Sequence, residues 1–180
     1  MSAVSSLPDF LELVEGYPAL KIGKDKVAIA DLHVGYELTA RESGLHIPNM
    51  LPRYMERISS IAELSGAHEL YIVGDLKNSI IIPSLEEYRE LVQLISFMKE
   101  KFSVTLIPGN HDALIEKILG NEIKYGPATG LVIEECGKRV SLLHGHASPS
   151  RMVRESDVVV MAHFHFFIKY DRGKYPVWLM

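Results

Sequence analysis

Val104-Thr105-Leu106-Ile107-Pro108-Gly109-Asn110-His111-Asp112 is the stretch that decides how this chain is read. Four apolar or β-branched residues make a buried strand, and Pro108-Gly109 ends it in a tight turn. The turn sets down three chemically useful side chains at the strand's carboxyl end. The amide oxygen of Asn110 can hold a metal. His111 can carry a proton near neutral pH. Asp112 can orient that imidazole, or cap the helix that follows.

The same move occurs four more times. Val27-Ala28-Ile29-Ala30 leads to Asp31 and His33. Leu70-Tyr71-Ile72-Val73 leads to Gly74-Asp75. Arg139 to Leu143 leads to His144-Gly145-His146, and Val158-Val159-Val160-Met161 leads to Ala162-His163-Phe164-His165. The carboxyl ends of strands are where α/β folds build their sites. Five such ends side by side would bring carboxylates, imidazoles and one amide together, with no thiolate. That hard-to-borderline donor set suits manganese, iron or zinc and differs from a structural cysteine-type zinc site. Eight or so ligand positions exceed one ion. They suit two divalent cations about 3.5–4 Å apart that share a carboxylate, an arrangement used to cleave phosphate esters.

The rest of the chain frames these ends. Residues 10–22 hold one or two short strands broken by Gly16 and Pro18, and residues 36–43 a short helix. Leu51, Tyr54, Met55, Ile58, Ile61 and Ala62 have helical spacing, closed by Ser65-Gly66. Ser84 with Glu87 reads as a capping box opening a helix with apolar residues at 85, 88, 91, 92, 95 and 98. Asp112 to Leu119 reads as helix. Leu131 to Cys136 and Arg139 to Leu143 form a hairpin, and a last hairpin flanks Asp171 to Lys174. Alternating strands and helices early, then strands late, predict one α/β domain over 1–180, a layered sandwich rather than a simple doubly wound sheet.

Bulk composition sets bounds on function. The chain has 180 residues, 47% hydrophobic and 23% charged, with a net charge of -4. That length supports one sizeable core. There is no general basic field to attract nucleic acid, so a nucleic-acid substrate would need a local patch. The single cysteine, Cys136, leaves no internal disulfide and fits a reducing compartment. The first residues lack a signal-peptide pattern, and no apolar run approaches the roughly 18 residues of a membrane span. A cytoplasmic protein without membrane attachment is expected.

D-x-H, G-D, G-N-H-D, H-G-H and H-x-H, in this order after strands, resemble the calcineurin-like metallophosphoesterases over roughly 27–165. Asp31-Leu32-His33-Val34-Gly35-Tyr36-Glu37 and Gly74-Asp75-Leu76-Lys77-Asn78 lean toward the small archaeal phosphoesterases related to the SbcD nuclease and the DNA-ligase-associated phosphoesterases. The resemblance implies an α-β-β-α sandwich with mixed sheets and a di-metal site at the carboxyl ends of strands. It implies that Asp31, His33, Asp75 and His165 bind one metal. Asp75, Asn110, His144 and His163 would bind the second, with Asp75 bridging. It assigns His111 to proton donation or transition-state stabilisation and Asp112 to orienting it. Manganese is the first choice of metal, with iron, zinc or nickel as alternatives. The chain departs from the family at Ala162, where glycine is common, at Phe166, where proline is, and at Asn78, where an acid or histidine is.

The implied function is hydrolysis of a phosphate ester, preferably a cyclic-nucleotide or nucleic-acid type phosphodiester. A phosphomonoesterase is the alternative, and a non-catalytic metal-binding scaffold on the same fold is the alternative of another class. Plainer readings exist for single residues. Asp31, His33 and Asp75 are each common at turns. His146 reads as support behind the ligands or as a substrate contact. Lys77, Asn78, Arg151 and Arg154 are candidate phosphate contacts, Arg by its guanidinium fork. Ile80-Ile81-Ile82 reads first as a core anchor and second as an apolar wall for a base or a partner. The terminal hairpin at 165–179 offers an edge for a homo-oligomer.

Overall fold

The computed structural model describes residues 7–164, together with the backbone of 168–172 and 175–179. In chain order the elements are β1 (Leu11–Leu13), β2 (Leu20–Ile22), β3 (Lys26–Ile29), α1 (Tyr36–Glu42), α2 (Leu51–Ser65) and β4 (Glu69–Val73). Then come α3 (Leu85–Lys99), β5 (Ser103–Ile107), α4 (Ile115–Leu119), β6 (Lys124–Tyr125), β7 (Leu131–Glu135) and β8 (Lys138–Leu143). The last are α5 (Arg151–Arg154), β9 (Val158–Met161), β10 (Ile168–Arg172) and β11 (Tyr175–Leu179).

One sheet runs β1-β2-β3-β4-β5-β6 and the other β10-β11-β9-β8-β7. Both are mixed. β3 to β6 are parallel neighbours, as are β8, β9 and β11, while β1-β2-β3, β7-β8 and β10-β11 pair antiparallel. The uninterrupted apolar runs of the central strands follow from having both faces covered. Val27, Ile29, Leu70, Ile72, Val104 and Leu106 face Ile58 and Ile61 of α2 and Leu91, Leu94, Ile95 and Met98 of α3. The alternate residues Ala28, Tyr71, Val73 and Ile107 face Val140, Leu142, Val158 and Val160 of the second sheet. On that sheet's outer face, Ser141 and Leu143 are buried, and Ser141 Oγ lies 2.5 Å from Ser156 Oγ, just past α5. The layers are thus helix, sheet, sheet and a thin fourth layer of which α5 is a single turn.

Parallel pairing aligns β3, β4 and β5, and separately β8 and β9, so the polar segments after each strand emerge at the same end. The β7–β8 turn sits at Cys136-Gly137, both left-handed (φ 51° and 72°), one residue earlier than the sequence suggested. Two consecutive left-handed residues match the twist of a two-residue hairpin.

Three local expectations change. Ser84 caps α3 by accepting from the Glu87 N–H at 3.1 Å, but Glu87 does not complete the box; its carboxylate turns to residues 78 and 79 instead. On α3, Leu85, Tyr88 and Val92 are exposed, because the buried stripe is drawn by Leu91, Leu94, Ile95 and Met98. Helix α4 begins only at Ile115, with left-handed Leu114 at its cap position, so Asp112 is not its N-cap.

Besides Glu87, two further buried carboxylates lie outside the strand ends. Glu37 of α1 accepts the Met50 N–H at 2.8 Å, and Glu90 of α3 accepts from the Asn49 side-chain amide at 2.5 Å. The second oxygen of each has no hydrogen-bond partner among the described residues. Burial first, then the charges of Glu37, Glu86 and Glu87, push the Glu90 carboxyl above its ordinary range, against the Asn49 hydrogen bond. A folded-state pKa above the unfolded value makes the folded state the stronger proton binder. Its stabilising contribution is present below the unfolded pKa and is lost as pH rises through the folded one. Glu90→Gln keeps an acceptor for Asn49 and removes the charge. Urea unfolding across acid to neutral pH should show the variant gaining on the wild type as pH rises. A constant difference across that range would contradict it.

Candidate metal centre

The ends of the central strands are built from backbone that ordinary residues avoid. Asp31, His33, Asp75 and His163 have φ of 52°, 46°, 50° and 76°. The left-handed region costs a non-glycine residue on the order of 1 kcal/mol or more, and such residues collect at functional sites. Local hydrogen bonding holds them there. The β3–β4 pairing carries on past the strands, with Asp31 N–H donating to Gly74 O (3.1 Å), His33 N–H to Asp75 O (2.9 Å) and Val34 N–H to Leu76 O (2.9 Å).

Two glycines explain the short motifs. A Cβ at Gly74 would fall 2.2 Å from His144 Nδ1, and one at Gly109 would fall 2.2 Å from Asp75 Oδ1 and 2.5 Å from Asp75 N. Gly-Asp and Pro-Gly-Asn are therefore spacing devices. Each glycine makes room for a polar side chain delivered by another strand.

Around His144 Nε2 lie Asn110 Oδ1 at 3.1 Å, His163 Nδ1 at 3.1 Å and Asp75 Oδ2 at 3.3 Å. On its other side, His144 Nδ1 lies 3.1 Å from Val73 O, which can only accept, so Nδ1 carries the proton. A histidine that donates one ring N–H to a carbonyl presents the other nitrogen's lone pair, the usual posture of a metal ligand. One proton on Nε2 satisfies one of the three contacts. A divalent cation would satisfy several of these lone pairs together, so the donor set fits a metal. A second group shares Asp75: ligand atoms of His33, Asp75 and His111 lie within 4.8 Å of one another, as do those of Asp75, His144 and His163.

Asp75 is buried. Burial pushes its carboxyl up, but the hydrogen bond with His144 and the N–H of His111 (2.9 Å) outweigh this and bring it down to about 2. His144 is also buried, which pushes its imidazole down; the Asp75 carboxylate and the Val73 carbonyl reverse that and raise it. Asp31 reaches the same cluster, with Oδ1 3.7 Å from His144 Nδ1 and Oδ2 accepting the His163 N–H at 3.2 Å. Of the expected ligands, Asp31, His33, Asp75, Asn110, His144 and His163 converge here. His165 lies outside the described residues, as does Phe166. Ala162 is fully buried without a left-handed φ, so glycine is not required there.

His111 stands at the edge of the cluster, its ring 4.8 Å from that of His33 and perpendicular to it. Its Nδ1 hydrogen-bonds to the Asn78 backbone carbonyl. Asp112 does not touch that imidazole. Its Oδ1 accepts from the N–H groups of Leu76 (3.0 Å) and Lys77 (3.3 Å), and its Oδ2 from Gly109 (2.8 Å). It ties the loop after β4 to the loop after β5, which is a job no local pattern reveals.

Lys77 is no phosphate contact. It is fully buried, and its ammonium bonds to backbone carbonyls. Asn78 donates its amide to Thr39 Oγ1 at 2.9 Å. His146 is exposed with its ring 5.4 Å from that of His144; β8 stops at Leu143, so strand alternation is not what brings them together. Arg151 pairs with Glu155 at 2.6 Å on the surface of α5, and Arg154 is exposed. Ile80, Ile81 and Ile82 are 59%, 58% and 76% exposed, which overturns the core reading.

Residues 27–177 match the sequence profile of the calcineurin-like phosphoesterases. The chain belongs to that family. Among curated proteins none matches by sequence. Solved structures similar to this calcineurin-like chain include the nuclease MPE of Pseudomonas putida, 19% identical, covering 90% of this chain and 76% of that one with a TM-score of 0.59. A protein of unknown function from Aquifex aeolicus is 19% identical over 83% and 82%, with a TM-score of 0.55. An archaeal phosphodiesterase is 15% identical over 86% and 81%, with a TM-score of 0.50. At these identities the likeness is one of fold. Among the described residues no helix is long and apolar enough to cross a membrane.

Asp75→Ala removes the carboxylate common to both groups. Metal analysis after manganese loading and gel filtration should find the bound metal lost; retention of the wild-type metal content would refute the shared position. Gly109→Ala should cost about 1–3 kcal/mol by overpacking against Asp75, with weaker metal binding. Chemical unfolding and the same metal analysis check both effects.

Proposed function

We propose that this protein is a di-metal phosphoesterase acting on phosphodiesters. Family membership supports hydrolysis of phosphate esters. The observation that carries the metal reading is the gathering of Asp75, Asn110 and His163 lone pairs around His144 Nε2. Asp31, His33 and Asp75 would hold one cation, and Asp75, Asn110, His144 and His163 the other, with His165 proposed as a further ligand of the first. Bound there, the cations would supply Lewis acidity to the phosphoryl oxygens and lower the pKa of a water. Manganese is the proposed metal, in keeping with carboxylate, amide and imidazole donors.

The chain's own residues supply the rest. His111 Nδ1 is committed to the Asn78 carbonyl, so its Nε2 is the nitrogen left to exchange a proton. A proton on that nitrogen would pass to the departing alkoxide, a role worth about 10²–10⁴-fold. The Asp75 carboxylate accepts the His111 N–H, so the residue that bridges the two groups also fixes the backbone of the proton donor. Asp112 joins the two loops that carry them.

The diester preference is supported by two fold relatives whose names are a nuclease and a phosphodiesterase. The exposed Ile80–Ile82 run, which begins two residues after the Asn78 carbonyl that meets His111, would give an apolar surface for the second ester substituent, which a monoester lacks. Bis-p-nitrophenyl phosphate should be turned over faster than p-nitrophenyl phosphate by the manganese-loaded protein. Turnover of neither, with metal bound, would sink the enzyme reading. His111→Ala should retain both metals and lose about 10²-fold or more in kcat on a diester with a poor leaving group. Intact activity in that variant would remove the proton-donor assignment.

A further inference from the structure

Lys77 and Glu87 are among the largest charged side chains removed from solvent, and neither belongs to the ligand cluster. Lys77 has no exposed surface. Its ammonium donates to the carbonyls of Ser79, Ile80 (2.9 Å) and His111. Those three bonds use all three of its N–H donors. Glu87, in the first turn of α3, approaches the same segment from the other side. Its Oε1 accepts the N–H groups of Asn78 (3.0 Å) and Ser79 (2.9 Å), and its Oε2 accepts the Ser79 hydroxyl. Gly35 makes the space: a Cβ there would lie 2.7 Å from Glu87 Cγ.

Residues 78–80 are thus gripped from both sides, N–H groups on a carboxylate and carbonyls on an ammonium. In this segment the Asn78 carbonyl turns away from the ammonium, and it meets His111 Nδ1. Lys77 also holds the carbonyl of His111 itself, so one lysine fixes both the backbone of His111 and the loop that fixes its ring. Burying two charges is expensive, and apolar residues of similar volume often pack a fold as well or better. A demand for exact loop placement gives a reason for charge here.

We propose that Lys77 and Glu87 are positioning residues for His111, acting through the Asn78 carbonyl to hold the imidazole with Nδ1 protonated and Nε2 directed to the reacting ester. The inference rests on the phosphoesterase reading for its kinetic consequence, but not for its structural one. A proton donor must sit within hydrogen-bond reach of the leaving oxygen, and small displacements are costly.

Two readings test it on the 180-residue chain, with Lys77→Met and Glu87→Gln as variants. The first is the ¹⁵N NMR spectrum of the His111 ring in metal-free protein. Wild type should show the Nδ1-protonated tautomer, and each variant a mixture. The second compares manganese-loaded proteins on bis-p-nitrophenyl phosphate and on diphenyl phosphate, a diester whose phenoxide is the poorer leaving group. Each variant should keep its bound metal and lose kcat by about 10²-fold on the poor leaving group but less than about tenfold on the good one. In a His111→Ala background, Lys77→Met should add almost nothing, because the two act as one unit.

Equal losses on both leaving groups, additive with His111→Ala, would overturn the proposal, as would an unchanged His111 tautomer in both variants. Should Lys77→Met fail to fold, Glu87→Gln, which preserves shape and one acceptor oxygen, carries the same readings. A wild type that turns over no ester while the tautomer shifts in the variants would refute the phosphoesterase reading and leave the positioning geometry supported.

Discussion

The Asp75 carboxylate is the constraint on which the rest of this molecule depends. It sits at the end of β4, buried, on a backbone that only glycine adopts freely. It accepts the N–H of His111, lies against His144 and His33, and occupies the space left by Gly109. Four strand ends from two sheets must therefore arrive at one carboxylate. A buried, ionised carboxylate is tolerated only with such partners, because its desolvation is otherwise prohibitive.

The sandwich can be understood as the scaffold that makes this convergence rigid. Helices α2 and α3 cover one face of the first sheet, and the second sheet covers the other. Parallel pairing of β3, β4 and β5 fixes their ends in one plane, and β8 and β9 come across from the facing sheet. The strained φ values of Asp31, His33, Asp75 and His163 are sustained by hydrogen bonds that continue the β3–β4 ladder and by Asp31 accepting the His163 N–H. Strain of this kind persists only where surrounding structure over-determines it. Here the surrounding structure includes buried charges: Asp112 on three N–H groups, Glu87 on two, and Lys77 on three carbonyls.

Much of the site was legible because its signal is local. An apolar run followed by Asp, His or Asn needs no knowledge of the fold to be noticed, and its occurrence five times makes coincidence a poor account. Residues whose roles depend on long-range neighbours were misread. Lys77 looked like a phosphate contact since it follows Asp75, yet the loop folds over it and its charge meets carbonyls. Glu87 looked like half of a capping box, but the same carboxylate finds better donors at residues 78 and 79. Asp112 looked like a helix cap or an imidazole partner, and it bonds to backbone on two loops instead. Ile80–Ile82 looked like core, because hydrophobicity alone does not say which apolar residues find a cover.

By itself the sequence determined which polar side chains follow a strand, and that strands and helices alternate early while the later half is β-rich. These follow from periodicity and from the immediate neighbours of each residue. Tertiary structure decided which of those side chains meet, how far apart they stand, and which charged groups support them from behind. The physical reason is that burial and hydrogen bonding of a polar group are set by partners distant in the chain. Lys77 and His111 are 34 residues apart and His163 and Asp31 are 132 apart, so no local pattern records their contacts.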